Sequence, residues 1–355
     1  MDPFAQRLRT QRLAGSPLPT PEAVVAFLGA VQSQDYPGAK WSLGQRVQGA
    51  TDGSIDRAFD EGRILRTHVL RPTWHFVTPD DIGWLLGLTG RRVLAQCAPY
   101  FARLELDRAI FRRARAAIER ALRGGRYRTR AEIGGVLREA GIRAGGQRLA
   151  HIMAEAELTG LVCSGARRGG QHTYALLEER APGGRRLERD EALGELTWRF
   201  FRSHGPATLR HYAWWAGLTL ADARAGLDLA GSRLERIEIK GISCWLEGGA
   251  HHEVQRTRTA FFIPEYDEAV LGYKEPPLPD HPPARGKTRW RARWPRPLVI
   301  GARRAGTWRR TLGRDAVLVE TDLFAALETA GERAIQAAAE RYARFLQRPL
   351  RLIVR

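Results

Sequence analysis

The sequence predicts a helix-rich α+β fold, with three tandem units of winged-helix layout and a C-terminal β-rich element. Three observations predict it. Short amphipathic helices followed by a two-stranded ribbon occur three times, and such recurrence favours a repeat architecture over one irregular fold. After residue 256 the patterning turns from helical to alternating, which marks strands. The chain, at 355 residues, is too long for one ordinary domain, and its 43% hydrophobic content suffices for several cores. The units are placed at 1–95, 96–184, 185–255 and 256–355.

In the first unit, Gln6–Leu13 is a short helix broken by Gly15-Ser16-Pro17. A second helix starts at Pro21-Glu22, as Pro and Glu suit a first turn, and runs to residue 34 with Gln32 and Gln34 at its end. Residues two apart on a helix point about 200° apart, so both glutamines can line one pocket only where the helix stops. Pro37-Gly38 is expected to stop it. Short helices at 39–47 and 54–60, the latter capped by Ser54, lead to alternating strands at 66–70 and 73–77.

Asp80-Asp81 caps a helix through Leu88, and 91–123 is expected to be long helix with Phe101, Ile110, Phe111 and Ile118 inside and arginines outside. Thr129 caps the helix at 131–140, a second helix spans 147–159, and Leu161-Val162-Cys163 with 173–177 form a ribbon. Its tip is expected at Arg167-Arg168-Gly169-Gly170, which places two arginines at the end of the ribbon. The third unit has helices at 193–203, 209–216 and 220–229, the last capped by Thr219, and a ribbon turning at Lys240-Gly241. Strands at 259–263, 298–300, 305–310 and 316–319 and a helix at 332–346 complete the chain.

Net charge is +18, and all but four of the 57 basic residues are arginine. A GC-rich genome explains arginine over lysine but not the excess over acids, so a polyanion, nucleic acid first, is the expected partner. Three scattered cysteines argue against a disulfide framework or a cysteine zinc site and fit a reducing cytoplasm. No signal peptide and no apolar run long enough to span a membrane is evident. P-loop, HExxH, GxSxG and dinucleotide glycine motifs are all missing, and the pair His251-His252 lacks companions for a metal.

The remaining polar candidates carry two readings each. Glu265, Tyr266, Asp267 and Glu268 form either a solvated turn or an acidic element at a cleft, with Asp267 and Tyr266 its members. His75 shares a strand face with Thr73 and Val77, where a paired core histidine is the ordinary outcome. From Arg285 to Arg296, alternation sends Arg289, Arg291 and Arg293 one way and Trp290 and Trp294 the other; phosphate contact with base stacking, or packing on the body, both fit.

Several separated stretches, in order and across almost the whole chain, resemble the bacterial winged-helix DNA glycosylase superfamily that includes AlkZ and YcaQ. They are Val31-Gln32-Ser33-Gln34-Asp35, Leu70-Arg71-Pro72-Thr73-Trp74-His75-Phe76-Val77, Gly205-Pro206-Ala207-Thr208, Trp214-Trp215-Ala216-Gly217-Leu218, Pro264-Glu265-Tyr266-Asp267-Glu268 and Gly306-Thr307-Trp308-Arg309. Gln-x-Gln matches the AlkZ-like branch. The resemblance implies a C-shaped DNA cleft and hydrolysis of the N-glycosidic bond of alkylated purines in base excision repair, N7-alkylguanine and interstrand crosslinks among them. Gln32 and Gln34 are then the catalytic pair. Arg71, His75, Arg167, Arg168, Arg285, Lys287, Arg289, Arg291 and Arg293 are the residues expected to meet DNA.

A cationic N7-alkylguanine leaves without strong acid, so two neutral amides that position a water suffice. No lysine lies in the Gln segment, so a Schiff-base step is not suggested and the glycosylase is expected to be monofunctional. No cofactor and no metal are implied. The expected partner is double-stranded DNA with alkylated bases, met by a monomer in the cytoplasm, on the nucleoid. A non-enzymatic winged-helix transcriptional regulator explains charge and repeats equally well, but gives the glutamines no task. An RNA-binding protein fits the charge but lacks the aromatic sheet of an RRM.

Overall fold

The computed structural model describes residues 2–250, 258–274 and 296–355. Helix α1 (Pro3–Thr10) starts at an Asp2 cap. Helix α2 (Pro21–Leu28) starts at Thr20 and ends at Gly29, whose φ of 86° suits glycine alone. The helix expected to reach residue 34 therefore stops six residues early. The glutamine segment is extended: β1 (Val31–Gln32) is a two-residue strand. Pro37 does not end a helix but sits in the first turn of the next, α3 (Tyr36–Gly44), where its missing N–H costs nothing. Helix α4 (Asp52–Asp60) is capped by Thr51 rather than Ser54, which closes a reciprocal capping box from the third position. Strands β2 (Leu65–Val69) and β3 (Arg71–Val77) follow.

Helix α5 (Pro79–Arg103) runs unbroken through residues 88–91, and the break falls instead at 104–107, before α6 (Arg108–Leu122) capped by Asp107. Next come β4 (Arg128–Thr129), α7 (Arg130–Glu139), α8 (Gly146–Leu158), β5 (Val162–Arg168), β6 (Gln171–Leu176) and the single turn α9 (Leu177–Arg180). Helices α10 (Arg189–His204), α11 (Leu209–Ala216) and α12 (Leu220–Ala230) lead to the ribbon β7 (Leu234–Ile239) and β8 (Ile242–Glu247).

One wiring recurs: helix, strand, two helices, two strands. It is α2-β1-α3-α4-β2-β3, then α6-β4-α7-α8-β5-β6, with matching sheet orders β1-β3-β2 and β4-β6-β5. In α10-α11-α12-β7-β8 the first strand has shrunk to one antiparallel bridge between Ala207 and Trp245.

The C-terminal part is a five-stranded sheet in the order β13-β12-β11-β10-β9. Its members are β9 (Ala260–Phe262), β10 (Pro297–Ile300), β11 (Arg303–Leu312), β12 (Val317–Leu323) and β13 (Leu350–Val354). Strand β13, not foreseen from the sequence, runs parallel to β12. The short helix α13 (Glu268–Leu271) follows β9, and α14 (Thr329–Leu346) connects β12 to β13 as the crossover that parallel pairing requires.

This sheet and the first unit share one core. Val24, Leu28, Trp41, Phe59 and Phe76 pack with Phe262, Trp308, Ile335, Tyr342 and Phe345. The indole N–H of Trp41 donates to the Phe262 carbonyl at 2.7 Å and that of Trp308 to the Ile263 carbonyl at 2.8 Å, which satisfies both polar tips inside the core. A second core joins the other face of the β1-β3-β2 sheet (Leu65, Val69, Val77) to Leu196, Phe200, Tyr212 and Trp215 of the third unit.

Candidate active site

Gln32 ends the two-residue strand and Gln34 lies in the bend just after it, so the glutamine segment is extended rather than the end of a helix. Gln32 is buried and stands in register opposite His75; Gln34 is exposed and accepts a hydrogen bond from the Trp74 N–H at 3.4 Å.

Gln32 is held from two directions. Its backbone N–H donates to Glu268 Oε1 at 3.0 Å, and its side-chain Oε1 accepts from Arg71 Nη2 at 2.9 Å. Since a guanidinium only donates, the atom facing it is the amide oxygen, and the NH2 end points away. Arg71 stacks on the Trp214 ring, 4.7 Å from its centroid. Burial draws the Arg71 pKa down to about 10, against the pull of Glu268.

Glu268, which sequence reasoning grouped with three neighbours and did not single out, is the carboxylate of this site. It is fully buried. Besides Gln32 it accepts from Trp215 Nε1 at 2.7 Å and faces His204 Nε2 at 3.3 Å. Burial works to raise its pKa, but the His204 hydrogen bond and charge, Arg71 and the Gln32 N–H outweigh it and hold the carboxyl at about 2. The run 214–217 thus works residue by residue. Trp214 lies under Arg71, Trp215 binds Glu268, and Gly217 passes against Leu70 at the tip of the β2–β3 hairpin, where a Cβ would stand 2.0 Å from the Leu70 oxygen. The site is therefore a junction of the first unit, the third unit and α13.

Asp267 is not open to a cleft. It is fully buried in a two-pronged pair with Arg46 (2.8 Å to each oxygen), takes a 2.6 Å hydrogen bond from Ser42, and caps α13. All its acceptor capacity goes to holding α13 on the first unit, a role the acidic cluster alone could not reveal. Tyr266 is half-buried beside it.

The second ribbon also corrects an expectation. Arg167 lies in β5, not at the tip, and is bound by Asp60 (2.7 Å) and Asp56 (3.0 Å) of α4. Those carboxylates, against the cost of burial, raise its pKa further. It pins the ribbon to the first unit rather than standing free for phosphate. Arg168 is exposed and pairs with Glu132 at 2.8 Å. Arg285, Lys287, Arg289, Arg291 and Arg293, with Trp290, Trp294, His251 and His252, lie outside the described residues.

His75 is fully buried, with Nδ1 2.9 Å from the Thr73 carbonyl and Nε2 without a partner among the described residues. It is the core histidine of the ordinary reading in burial, but only half paired. Burial first, then Arg71, takes its pKa down to about 3, so the ring is neutral near pH 7. Among the described residues no group of three or more His, Cys, Asp or Glu is placed to hold a metal, and no helix is long and apolar enough to cross a membrane.

Comparison with known proteins agrees with this architecture. The chain superimposes on the DNA glycosylase AlkZ of Streptomyces sahachiroi with a TM-score of 0.74 at 20% identity, over 99% of this chain and 98% of that one, a likeness of fold. No curated protein sequence matches. Residues 25–345, which include both glutamines, Arg71, His75 and Glu268, match the family model described as DNA glycosylase AlkZ-like, and the chain belongs to that family of DNA glycosylases.

Proposed function

We propose that this DNA glycosylase removes alkylated purines, N7-alkylguanine first and interstrand crosslinks through the same cationic base, by hydrolysis without a covalent enzyme intermediate. The observation that carries the reading is Gln32: a neutral, buried amide clamped at its backbone by Glu268 and at its oxygen by Arg71. A fixed NH2 group can bind a water oxygen, and exposed Gln34, two residues on, has a second lone pair on its Oε1 to offer. Neutral amides suit this reaction. The base already carries the positive charge that drives it off, and what remains is to place water at C1′ as an oxocarbenium-like sugar develops.

The buried Glu268 carboxylate adds negative charge behind the site, which favours a cationic transition state. Lys40, the lysine nearest in sequence, is buried against Asp52 (2.6 Å) and Asp56 (2.9 Å), which leaves it no role as a Schiff-base nucleophile. The partner is duplex DNA in a cleft lined from several units, bound by one copy of the chain in the cytoplasm at the nucleoid, with Arg71 the cation bonded to Gln32. Family membership displaces the regulator reading.

The test is base release from duplex DNA carrying N7-methylguanine. Wild type is expected to leave abasic sites, and Gln32→Ala/Gln34→Ala to lose about 100-fold or more in single-turnover rate, the scale of losing positioned groups. Unchanged release by the double variant would remove the glutamines from the mechanism.

A further inference from the structure

His75 sits at the centre of a polar rung that crosses an otherwise apolar sheet face. Gln32 on β1 and Thr67 on β2 are its register partners on either side. All three are buried, while their neighbours on that face, Leu65, Val69 and Val77, belong to the apolar core. Directly paired residues have Cα atoms about 5 Å apart and side chains on one face, so the imidazole and the Gln32 amide are neighbours.

Within this rung two polar atoms, His75 Nε2 and Thr67 Oγ1, are buried with no partner among the described residues. Nearly all buried polar atoms are paired, and leaving one bare costs about 1–3 kcal/mol, so an orphan beside a catalytic group calls for an explanation. The ring's chemistry narrows it. The Nδ1 neighbour is a carbonyl oxygen, which only accepts, so Nδ1 carries the proton. Nε2 is then a bare lone pair: an acceptor, next to an amide that presents donors.

The geometry points to His75 Nε2 as a further catalytic group, the acceptor that orients the attacking water between itself, Gln32 and Gln34. This rests on the proposed glutamine mechanism. The Gln32 NH2 donates to the water oxygen, and the water's two hydrogens point to His75 Nε2 and Gln34 Oε1. One oxygen lone pair is left for C1′. As the C1′–N9 bond breaks, its electron pair goes to N9 and the alkylated base leaves neutral. The water oxygen bonds C1′, and the resulting oxonium, far more acidic than an imidazolium, gives a proton to Nε2, from which it passes to solvent at exposed Gln34. The low basicity of His75, set by burial and by Arg71 against the pull of Glu268, keeps the lone pair free before attack and places no extra positive charge beside the sugar cation.

The experiment pairs chemistry with spectroscopy on the full chain. The probes are duplexes with N7-methylguanine or a nitrogen-mustard crosslink. His75→Asn keeps a donor for the Thr73 carbonyl and removes the Nε2 acceptor; His75→Gln returns a polar atom near the Nε2 position. We expect His75→Asn to lose about 10- to 100-fold in single-turnover rate, the range of one acid–base group, with DNA affinity and melting temperature kept, and His75→Gln to recover part of the loss. The 15N spectrum of labelled histidine should show Nδ1 protonated and Nε2 bare from pH 5 to 8, with Arg71, Glu268 and His68 the charged or titratable neighbours. A wild-type rate in His75→Asn, or a proton on Nε2, overturns the assignment while the glutamines stand. No release of either base by wild type overturns both.

Discussion

Strand β3 and its hairpin carry two histidines to opposite sides of one sheet, and the two are treated differently. His68 faces α8: its ring Nδ1 bonds Glu157, its N–H donates to the same carboxylate at 3.1 Å, and Trp74 Nε1 reaches both oxygens at 3.2–3.3 Å. The Arg66 guanidinium covers Trp74 at 4.3 Å. His75 faces the third unit and α13 with one nitrogen paired and one bare. The paired cluster docks the first unit on the second. The unpaired one stands by the glutamines. A satisfied polar network holds structure together, whereas an orphaned buried polar atom costs stability.

That contrast can be broken from either side. The largest effect is expected from Glu157→Ala, which strips one acceptor from three donors; unfolding free energy in urea should fall by about 3–5 kcal/mol, since each buried donor left unpaired costs about 1–3 kcal/mol, with base release per folded molecule unchanged. Glu268→Gln tests the charged side. The Glu268 pKa is depressed in the fold, so its stabilisation is present above the unfolded value near 4.5 and is lost as pH falls toward about 2. Wild type should lose about 3 kcal/mol from this group across that window, and urea midpoints of Glu268→Gln should lack that component.

Thr67→Val sharpens the comparison further. It removes a buried hydroxyl with no partner at nearly constant volume, so stability should rise by about 1 kcal/mol while single-turnover rate falls several-fold, a trade of function for stability. The smallest effect is expected from Arg168→Ala: one exposed cation fewer should weaken duplex binding by about two- to threefold at low salt and change the salt slope by less than one. Affinity titrations at two salt concentrations measure it.

Much of the local architecture was legible because local chemistry fixes it. Thr129 and Thr219 cap the helices expected of them, and the Lys240-Gly241 turn joins the third ribbon. Where tertiary partners decide, sequence fell short. A two-residue strand has no periodicity to detect, so nothing in the pattern separates β1 from α2 except Gly29, which stops the helix. Asp267 and Glu268 are adjacent and chemically alike. Only the fold sends one to Arg46 and the other to Gln32. Arg167 looks like a free cation until α4 brings Asp56 and Asp60 beside it.

The core shared by the first unit and the C-terminal sheet makes the enzyme's competence a matter of synthesis order. Trp41 and Phe59 leave the ribosome long before Phe262, Tyr342 and Phe345, the residues that close over them. Gln32 likewise waits for Glu268, which arrives 236 residues later. Contacts this distant in sequence form last, since the loop between them must be closed first. A nascent chain therefore carries much of its basic surface before the residues that close this core and hold Gln32 have been made.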